Sequence, residues 1–216
     1  MKYHRLAIAT LLLLVPSLGV ALQFTKDKSV GDLVVKIVDG DTFKLANNQT
    51  IRLASIDAPE TGRCYSREAT EALSDLILNK RVILSDPYSD KYGRIMALVI
   101  SQGQVINEVL VRNGFAVYTY DKTAAKAALQ DANTYARSHN LGIYSDQCSQ
   151  VVPPDLGCVI KGNLDQRENR LLYSFPSCGN YDLTVVETFS GDQWFCSEQD
   201  AIKAGYVRSG NCPDHQ

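Results

Sequence analysis

The chain has no surplus of positive charge: 22 Lys+Arg stand against 24 Asp+Glu in 216 residues, a formal net charge of −2. Proteins that hold a polyanion mainly by neutralising many phosphates are usually basic overall, so that mode of binding is excluded and only a small, local anion site stays open. A spanning helix needs roughly 20 apolar residues. The run from Leu6 to Val15 falls short of that and is cut off by Pro16 and Gly19. With 45% hydrophobic and 21% charged residues, the composition is not that of a disordered, fibrous or multi-pass membrane protein. Six cysteines are too few for a disulfide-dense miniprotein.

The first 21 residues stand apart. Lys2, His4 and Arg5 precede the apolar run, and Gly19-Val20-Ala21 offers the small residues of a signal-peptidase site. Residues 1–21 therefore read as a signal peptide, with the mature chain starting near Leu22 and no stable membrane insertion after cleavage. Losing Lys2 and Arg5 leaves 20 Lys+Arg against 24 Asp+Glu, a charge of −4. No cysteine sits at the cleavage site to carry a lipid, and export to the periplasm or the exterior makes disulfides plausible. The cysteines group as Cys64 alone and five from Cys148 onward, which predicts a larger domain followed by a small stapled one. Residues 31–146 carry 13 Lys+Arg against 14 Asp+Glu, and residues 147–216 carry 5 against 9, so the acidity lies in the tail.

After the signal, "GDLVVKIVDGDTFKL" and "TIRLASID" alternate apolar and polar residues around "DGD" and "NNQ" breaks and read as three strands of a meander. "REATEALSDLIL" places Ala69, Ala72, Leu73, Leu76 and Ile77 on one helical face. "KRVILS" and "RIMALVIS" read as strands separated by a polar turn, "DPYSDKYG". "QVINEVLVRNG" reads as a short helix closed by Gly114, "FAVYTY" as extended, and "TAAKAALQDANTYARSHN" as a helix ending before Gly142. This order is α+β, and a small barrel with helices on it avoids free strand edges.

Three pieces concentrate the chemistry. "VDGDTFKL" brings Asp39 and Asp41 to one strand junction, "RLASIDAPE" supplies Arg52, Asp57 and Glu60, and "DKYGRIMAL" supplies Lys91, Tyr92 and Arg94. Taken singly each has a plain explanation: an Asp-Gly turn, a helix-capping acid, a solvated turn. Taken together they match what phosphodiester hydrolysis requires, namely a cation to draw charge off the phosphoryl oxygens, donors for developing negative charge, and a base for water. Aspartates with a backbone carbonyl suit Ca²⁺ or Mg²⁺, arginine forks match phosphate oxygens, and a glutamate can take or orient a water proton. Without histidine or cysteine in the set, zinc is disfavoured.

"IVDGDTFKL", "IRLASIDAPE", "DKYGRIMALVI" and "VINEVLVRNGFAVYTY" resemble the successive signature segments of the thermonuclease family, over roughly residues 31–146. The resemblance implies a five-stranded OB-fold barrel with three helices, and a Ca²⁺-dependent endonuclease that cuts DNA and RNA to leave 3′-phosphate ends. By motif position it makes Asp41 and Asp57 side-chain ligands of Ca²⁺, with the Ala58 carbonyl beside them. Glu60 becomes the general base or water-orienting group, and Arg52 and Arg94 grip the scissile phosphate. Asp39 is an outer carboxylate, Lys91 and Tyr92 contact the nucleotide's phosphates, and Tyr118 and Tyr120 line its pocket. Packing at the barrel edge is the plainer role for these two tyrosines. Ala58 departs from the threonine of the best-known member, keeping the carbonyl but losing a hydroxyl.

The loop "TGRCYSREA" after Glu60 is shorter than that member's and contains Cys64, for which Cys148 is the expected partner. "QVVPPDL" reads as a semi-rigid linker within residues 147–156. "GCVIKGNL" and "WFCSEQDAIKAGYVRS" resemble the ends of a small module, the sunset domain, found on exported nucleases and other exported proteins. In residues 157–216 this resemblance makes Cys158 and Cys196 one pair and leaves Cys178 and Cys212 as a second. A zinc site is the alternative for these four, against which stand the lack of any Cys-x-x-Cys spacing and the expected export. Trp194 and Phe195 read as core in preference to an exposed binding ridge.

The expected protein is thus an exported, Ca²⁺-dependent, monomeric endonuclease with DNA and RNA as substrates. Two rivals are a nucleic-acid-binding barrel that has lost catalysis, and a surface- or polymer-binding protein whose tail dominates.

Overall fold

A computed structural model describes residues 31–119, 123–165 and 169–213; the expected signal peptide and Tyr120 lie outside the described residues. Three short strands open the fold: β1 (Asp32–Ile37), β2 (Thr42–Leu45) and β3 (Thr50–Leu53). They form the antiparallel meander that their alternation predicts. After β4 (Ile56–Asp57) comes α1 (Ser66–Ile77), which buries Ala69, Leu73 and Ile77 on one face. β5 (Arg81–Ser89) and β6 (Ile95–Ser101) pair antiparallel, and β5 returns to β1. Parallel pairing of β6 with β3, Arg52 opposite Met96, closes a five-stranded mixed barrel of β1, β2, β3, β6 and β5.

Closure leaves no free edge and lets Val34, Phe43, Ile51, Leu53, Val82 and Val99 fill the interior with no exposed surface. The helices cap this core. β7 (Gln104–Val105) leads into α2 (Ile106–Arg112), which buries Leu110 and Val111; β8 (Val117–Tyr118) pairs with β4; and α3 (Lys126–Ser138) lays Leu129 and Ala132 on the same cluster. Gly114 follows α2 with φ +71, the left-handed conformation that ends a helix at little cost in glycine. Buried Asn107 knits α2 to the barrel, its amide donating to the Ala54 carbonyl (2.8 Å) while its oxygen accepts from the Val99 N–H (2.9 Å).

The polar stretch expected as a turn is partly strand. β5 continues to Ser89, with Tyr88 opposite Met96 and an irregularity between Ser85 and Tyr88. Its backbone pairing there owes nothing to burial, so the hydrophobic pattern carries no trace of it. "FAVYTY" is shorter than expected: within it only Val117 and Tyr118 are strand among the described residues.

The tail forms a second, smaller unit: β9 (Ser149–Gln150), β10 (Ile160–Asp165), β11 (Arg170–Ser174), β12 (Val186–Glu187), β13 (Gln193–Phe195), α4 (Glu198–Lys203) and β14 (Val207–Arg208). β13, β10, β11 and β14 make one sheet, over which Phe195 and Tyr206 pack edge to face at 5.0 Å. Phe195 is buried, and Trp194 donates its indole N–H to Gln150 Oε1 at 2.9 Å. Disulfides join Cys158 to Cys196 and Cys178 to Cys212 within this unit, and Cys64 to Cys148 between it and the loop after Glu60. Residues 149–150, expected in the linker, pair as β9 with β12, so the stretch is anchored at its start. No helix among the described residues is long and apolar enough to cross a membrane.

Gly40 lies where the β1–β2 turn meets α1 and the loop after β4. A Cβ there would come within 2.7 Å of the Ala58 Cβ and 2.8 Å of the Ala69 Cβ, closer than methyl groups tolerate. Gly40→Ala should therefore cost about 1–3 kcal/mol. Urea denaturation reads this as a lowered midpoint; a wild-type midpoint would show that the turn is not held by this close approach.

Candidate active site

Barrel closure and the Gly40 contact bring the acidic turn, β3 and the β4 loop to one place. Asp41, immediately before β2, is only 2% exposed, and both of its carboxylate oxygens are occupied. Oδ2 accepts from the Ala58 N–H at 2.9 Å, while Oδ1 accepts from Thr42 Oγ1 at 2.8 Å and from Arg52 Nη1 at 2.5 Å. Asp39 stands one step outside, its Oδ1 accepting from the Asp41 N–H at 3.1 Å. The other nitrogen of Arg52, Nη2, donates to Asp57 Oδ1, so one guanidinium bridges two carboxylates. Asp57 is half exposed, with 49% of its side chain accessible.

Burial dominates the electrostatics of the pair. Desolvation pushes the Asp41 carboxyl up to about 7, although Arg52 and the Ala58 N–H favour the charged form. Asp57 is also raised, again chiefly by burial against the pull of Arg52, with Glu60 and Asp39 adding like-charge repulsion. The donor set, two carboxylates next to a backbone carbonyl at Ala58 and no nitrogen or sulfur ligand, suits a hard divalent cation. Two aspartates that share one arginine already stand where added positive charge is favoured.

Glu60, three residues after Asp57, is exposed and lines a cleft of about 520 Å³. Asp57, Ala58 and Pro59 line that cleft with it, as do Tyr118, Thr119, Asn133 and Arg137. Leu164, Glu187, Phe189 and Ser190 of the C-terminal unit line the same cleft.

Arg94 is placed differently from Arg52. At the end of the β5–β6 turn its Nε donates to Asp90 Oδ2 at 2.7 Å and its backbone N–H to Asp90 Oδ1 at 2.9 Å. Its guanidinium lies 5.5 Å from the Tyr92 ring centre, and the Lys91 ammonium lies 4.9 Å from the same centre. Tyr92 is 70% exposed, so this turn offers two cations and an open aromatic face. Tyr118 both lines the cleft and packs against the barrel core; its hydroxyl is buried and makes no hydrogen bond among the described residues.

The sequence reading passes over Asp90, Asn133 and Arg137. Asp90 has a local signal, an acid four residues before Arg94 across a turn. Asn133 and Arg137 sit four apart on α3, a spacing that marks one helical face and no function; only the structure turns that face toward Glu60.

Comparisons with known proteins agree with this geometry. The family described as staphylococcal nuclease homologue matches residues 50–146. Micrococcal nuclease of Shigella flexneri is 37% identical over 130 residues, which is 54% of this chain and 75% of that protein. An uncharacterized endonuclease of Escherichia coli is 34% identical over 125 residues, 56% of this chain and 80% of its own length. An uncharacterized endonuclease of Haemophilus influenzae is 35% identical over 117 residues, 52% of this chain and 65% of that protein. A closed five-stranded barrel, acids and arginines gathered at one end of it, a family match from β3 to beyond α3, and nuclease relatives covered over most of their own length lead to one conclusion: the chain belongs to the staphylococcal nuclease homologue family and is a nucleic-acid-hydrolysing enzyme.

Proposed function

We propose that this enzyme is an exported, Ca²⁺-dependent endonuclease that hydrolyses DNA and RNA with low sequence specificity and leaves 3′-phosphate ends. The carrying observation is the Asp41–Arg52–Asp57 bridge beside an unburied Glu60. The three disulfides support export, since such bonds persist in oxidising compartments. Phosphate contacts carry no sequence information, which supports low specificity.

Asp41 and Asp57, with the Ala58 carbonyl, would hold the cation, which draws charge off the phosphoryl oxygens when bound. Arg52 and Arg94 present N–H donors to the non-bridging oxygens, where negative charge grows in the transition state. Asp90 keeps Arg94 aimed across its turn. Glu60 takes a proton from a water whose oxygen attacks phosphorus in line with the 5′ oxygen. The bond from phosphorus to that oxygen breaks, the departing alkoxide takes up a proton, and the phosphate stays on the 3′ side. Lys91 and Tyr92 hold the nucleotide's phosphates, and Tyr118 borders its pocket. No acid or arginine of the set is missing, which tells against a barrel that has lost catalysis.

The raised Asp41 carboxyl gives this reading a sign. Its folded value of about 7 lies above the ordinary 3.8, so without a cation the neutral form is favoured and stability falls as pH rises from about 4 to about 7. Cation binding needs the charged form, so affinity should rise with pH up to about 7 and level off above it. At a hundredfold excess over Kd, Ca²⁺ should stabilise the wild type by about 2.7 kcal/mol, roughly 5–10 °C in thermal midpoint. That rise should shrink at pH 5 and vanish in Asp41→Asn. A full Ca²⁺ shift in the variant would remove Asp41 from the metal site.

Catalysis is tested by digesting single-stranded DNA, duplex DNA and RNA in Ca²⁺, Mg²⁺ and chelator, with product ends determined. Glu60→Gln should lose at least about 100-fold in kcat while keeping the Ca²⁺-induced thermal shift. Turnover that survives in Glu60→Gln would move the base elsewhere, and 5′-phosphate ends would reverse the assigned direction of cleavage.

A further inference from the structure

Glu60 is fastened differently from the acids beside it. Asp41, Arg52 and Asp57 are bonded to one another, and Asp41 also to the Ala58 N–H, all within the barrel. Glu60 follows buried Ala58 and Pro59 but opens a loop in which it, Thr61, Gly62 and Arg63 are all exposed. Its carbonyl accepts from the Arg63 N–H at 2.9 Å, the Arg63 carbonyl accepts from the Ser66 N–H at 3.2 Å, and the Gly62 N–H donates to Ser66 Oγ at 3.2 Å. Among the described residues, these backbone bonds of Glu60 to Arg63 stay within the loop and the first residue of α1. Neither burial nor a bond to the barrel sets where this turn lies.

The next residue is the fixed point. Cys64 is bonded to Cys148, 84 positions away in sequence. Cys148 has no exposed surface; its N–H donates to the Ser145 carbonyl at 2.9 Å, and its own carbonyl accepts from the Thr188 N–H at 2.8 Å. Half-buried Cys64 and Tyr65 pack against the small cluster that holds Cys148, and the Tyr65 ring stacks on Phe115 at 5.8 Å. Tyr65 has φ 68, a left-handed conformation that is uncommon for a large aromatic residue and persists only where its surroundings impose it. The crosslink one residue away is the covalent part of those surroundings. Neither cysteine belongs to the cluster that fills the barrel, and the barrel is closed by β3 and β6 without them.

We infer that the Cys64–Cys148 bond is a redox gate on Glu60: oxidised, it holds the loop with the base in working position, and with both thiols reduced the chain is a latent nuclease that keeps its barrel and its cation site. This rests on the proposed endonuclease reading and adds its regulation. Cys64 and Cys148 are positioning residues, since misplacing a catalytic group by about 1 Å costs on the order of 100-fold in rate. Opening the gate is a thiol–disulfide exchange with a dithiol reductant. A thiolate of the reductant attacks Cys64 Sγ, the more accessible sulfur, the S–S bond breaks, and Cys148 leaves as a thiolate. The second thiolate of the reductant displaces Cys64, the reductant ends as a disulfide, and the two cysteine thiolates take up two protons. Oxidation is the reverse exchange, against a disulfide-bearing oxidant. Thiols persist in the reducing interior of a cell and disulfides outside it, so the gate spares the nucleic acid of the producing cell and switches the enzyme on with export.

The test uses the full chain, a single-stranded oligonucleotide in Ca²⁺, and a redox series set by reduced and oxidised dithiothreitol. As Cys64 and Cys148 become open to alkylation, read by peptide mass mapping, kcat should fall at least about tenfold and return on reoxidation. The Ca²⁺-induced thermal shift should survive reduction. Cys64→Ser/Cys148→Ser, with both tail disulfides intact, should show the low kcat of the reduced chain under all conditions. Glu60→Gln supplies the readout that a merely stabilising crosslink would not move: it should cost at least about 100-fold in the crosslinked chain and less than about tenfold in the serine variant. Full kcat in the reduced chain or in the serine variant would overturn the gate. So would activity that follows alkylation of the other cysteines, a Ca²⁺ shift lost on reduction, or a Glu60→Gln loss that is the same with and without the crosslink. An oxidised wild type that cleaves no nucleic acid would instead overturn the endonuclease reading itself.

Discussion

One guanidinium joining two carboxylates sets the geometry of this protein's working end. Asp41 is almost wholly buried, and an ionised carboxylate at such a depth is costly unless it is paired and hydrogen-bonded. Arg52 meets part of that cost and reaches Asp57 with its other nitrogen, so the acidic turn, β3 and the β4 loop cannot move independently. Arg52 is in place because β3 is gripped on both sides, antiparallel by β2 and parallel by β6. The barrel closes, the arginine is fixed, and the two acids are held together; the order of dependence runs from backbone pairing to charge.

Much of this is legible in the residues. Alternation over β1 to β3 and over β6, and the spacing of Ala69, Leu73 and Ile77, follow from which side chains must leave water, so pattern alone locates these elements. The acids and Arg94 stand out because they fall at strand ends, whereas Arg52 takes a polar position of the alternation within β3. Closure of β3 on β6 is not legible, for parallel pairing of distant segments leaves no local mark. The far half of β5 is missed for a related reason: Ser85 to Ser89 are exposed or half-buried, and their pairing with β6 runs through the backbone around an irregularity that holds Pro87. The cleft is hidden altogether, since Glu187 and Glu60 come to line it together only through the folded arrangement of the two units.

The tail shows how a unit with little apolar interior keeps its shape. Its largest buried cluster holds Ile160, Tyr173, Phe195, Ala201 and Tyr206, a small core for so much chain. Two internal disulfides compensate. Lys161 adds an unusual brace. Only 1% exposed, it donates from Nζ to the Tyr181 and Thr184 carbonyls at 2.8 and 2.6 Å, with the Tyr181 ring centre 4.2 Å away. Burial lowers its ammonium below the ordinary value, and the carbonyls and aromatic face keep the charge tolerable while pinning a segment with little regular structure. The Cys64–Cys148 disulfide ties this unit to the loop after Glu60.

Charge explains why such fixed geometry belongs next to these acids. A basic nuclease can rely on many loose phosphate contacts, each worth little, and tolerate a mobile groove. This chain is near neutral over the barrel and acidic over the tail, so it offers a polyanion few uncompensated cations. Each remaining contact must then be accurate: Arg52 locked between two aspartates, Arg94 aimed by Asp90, Arg137 seated against Glu187. In every case an acid that lowers the overall attraction for a polyanion also fixes the direction of one arginine. Net charge is exchanged for position, and position is what an in-line displacement at a single phosphorus requires.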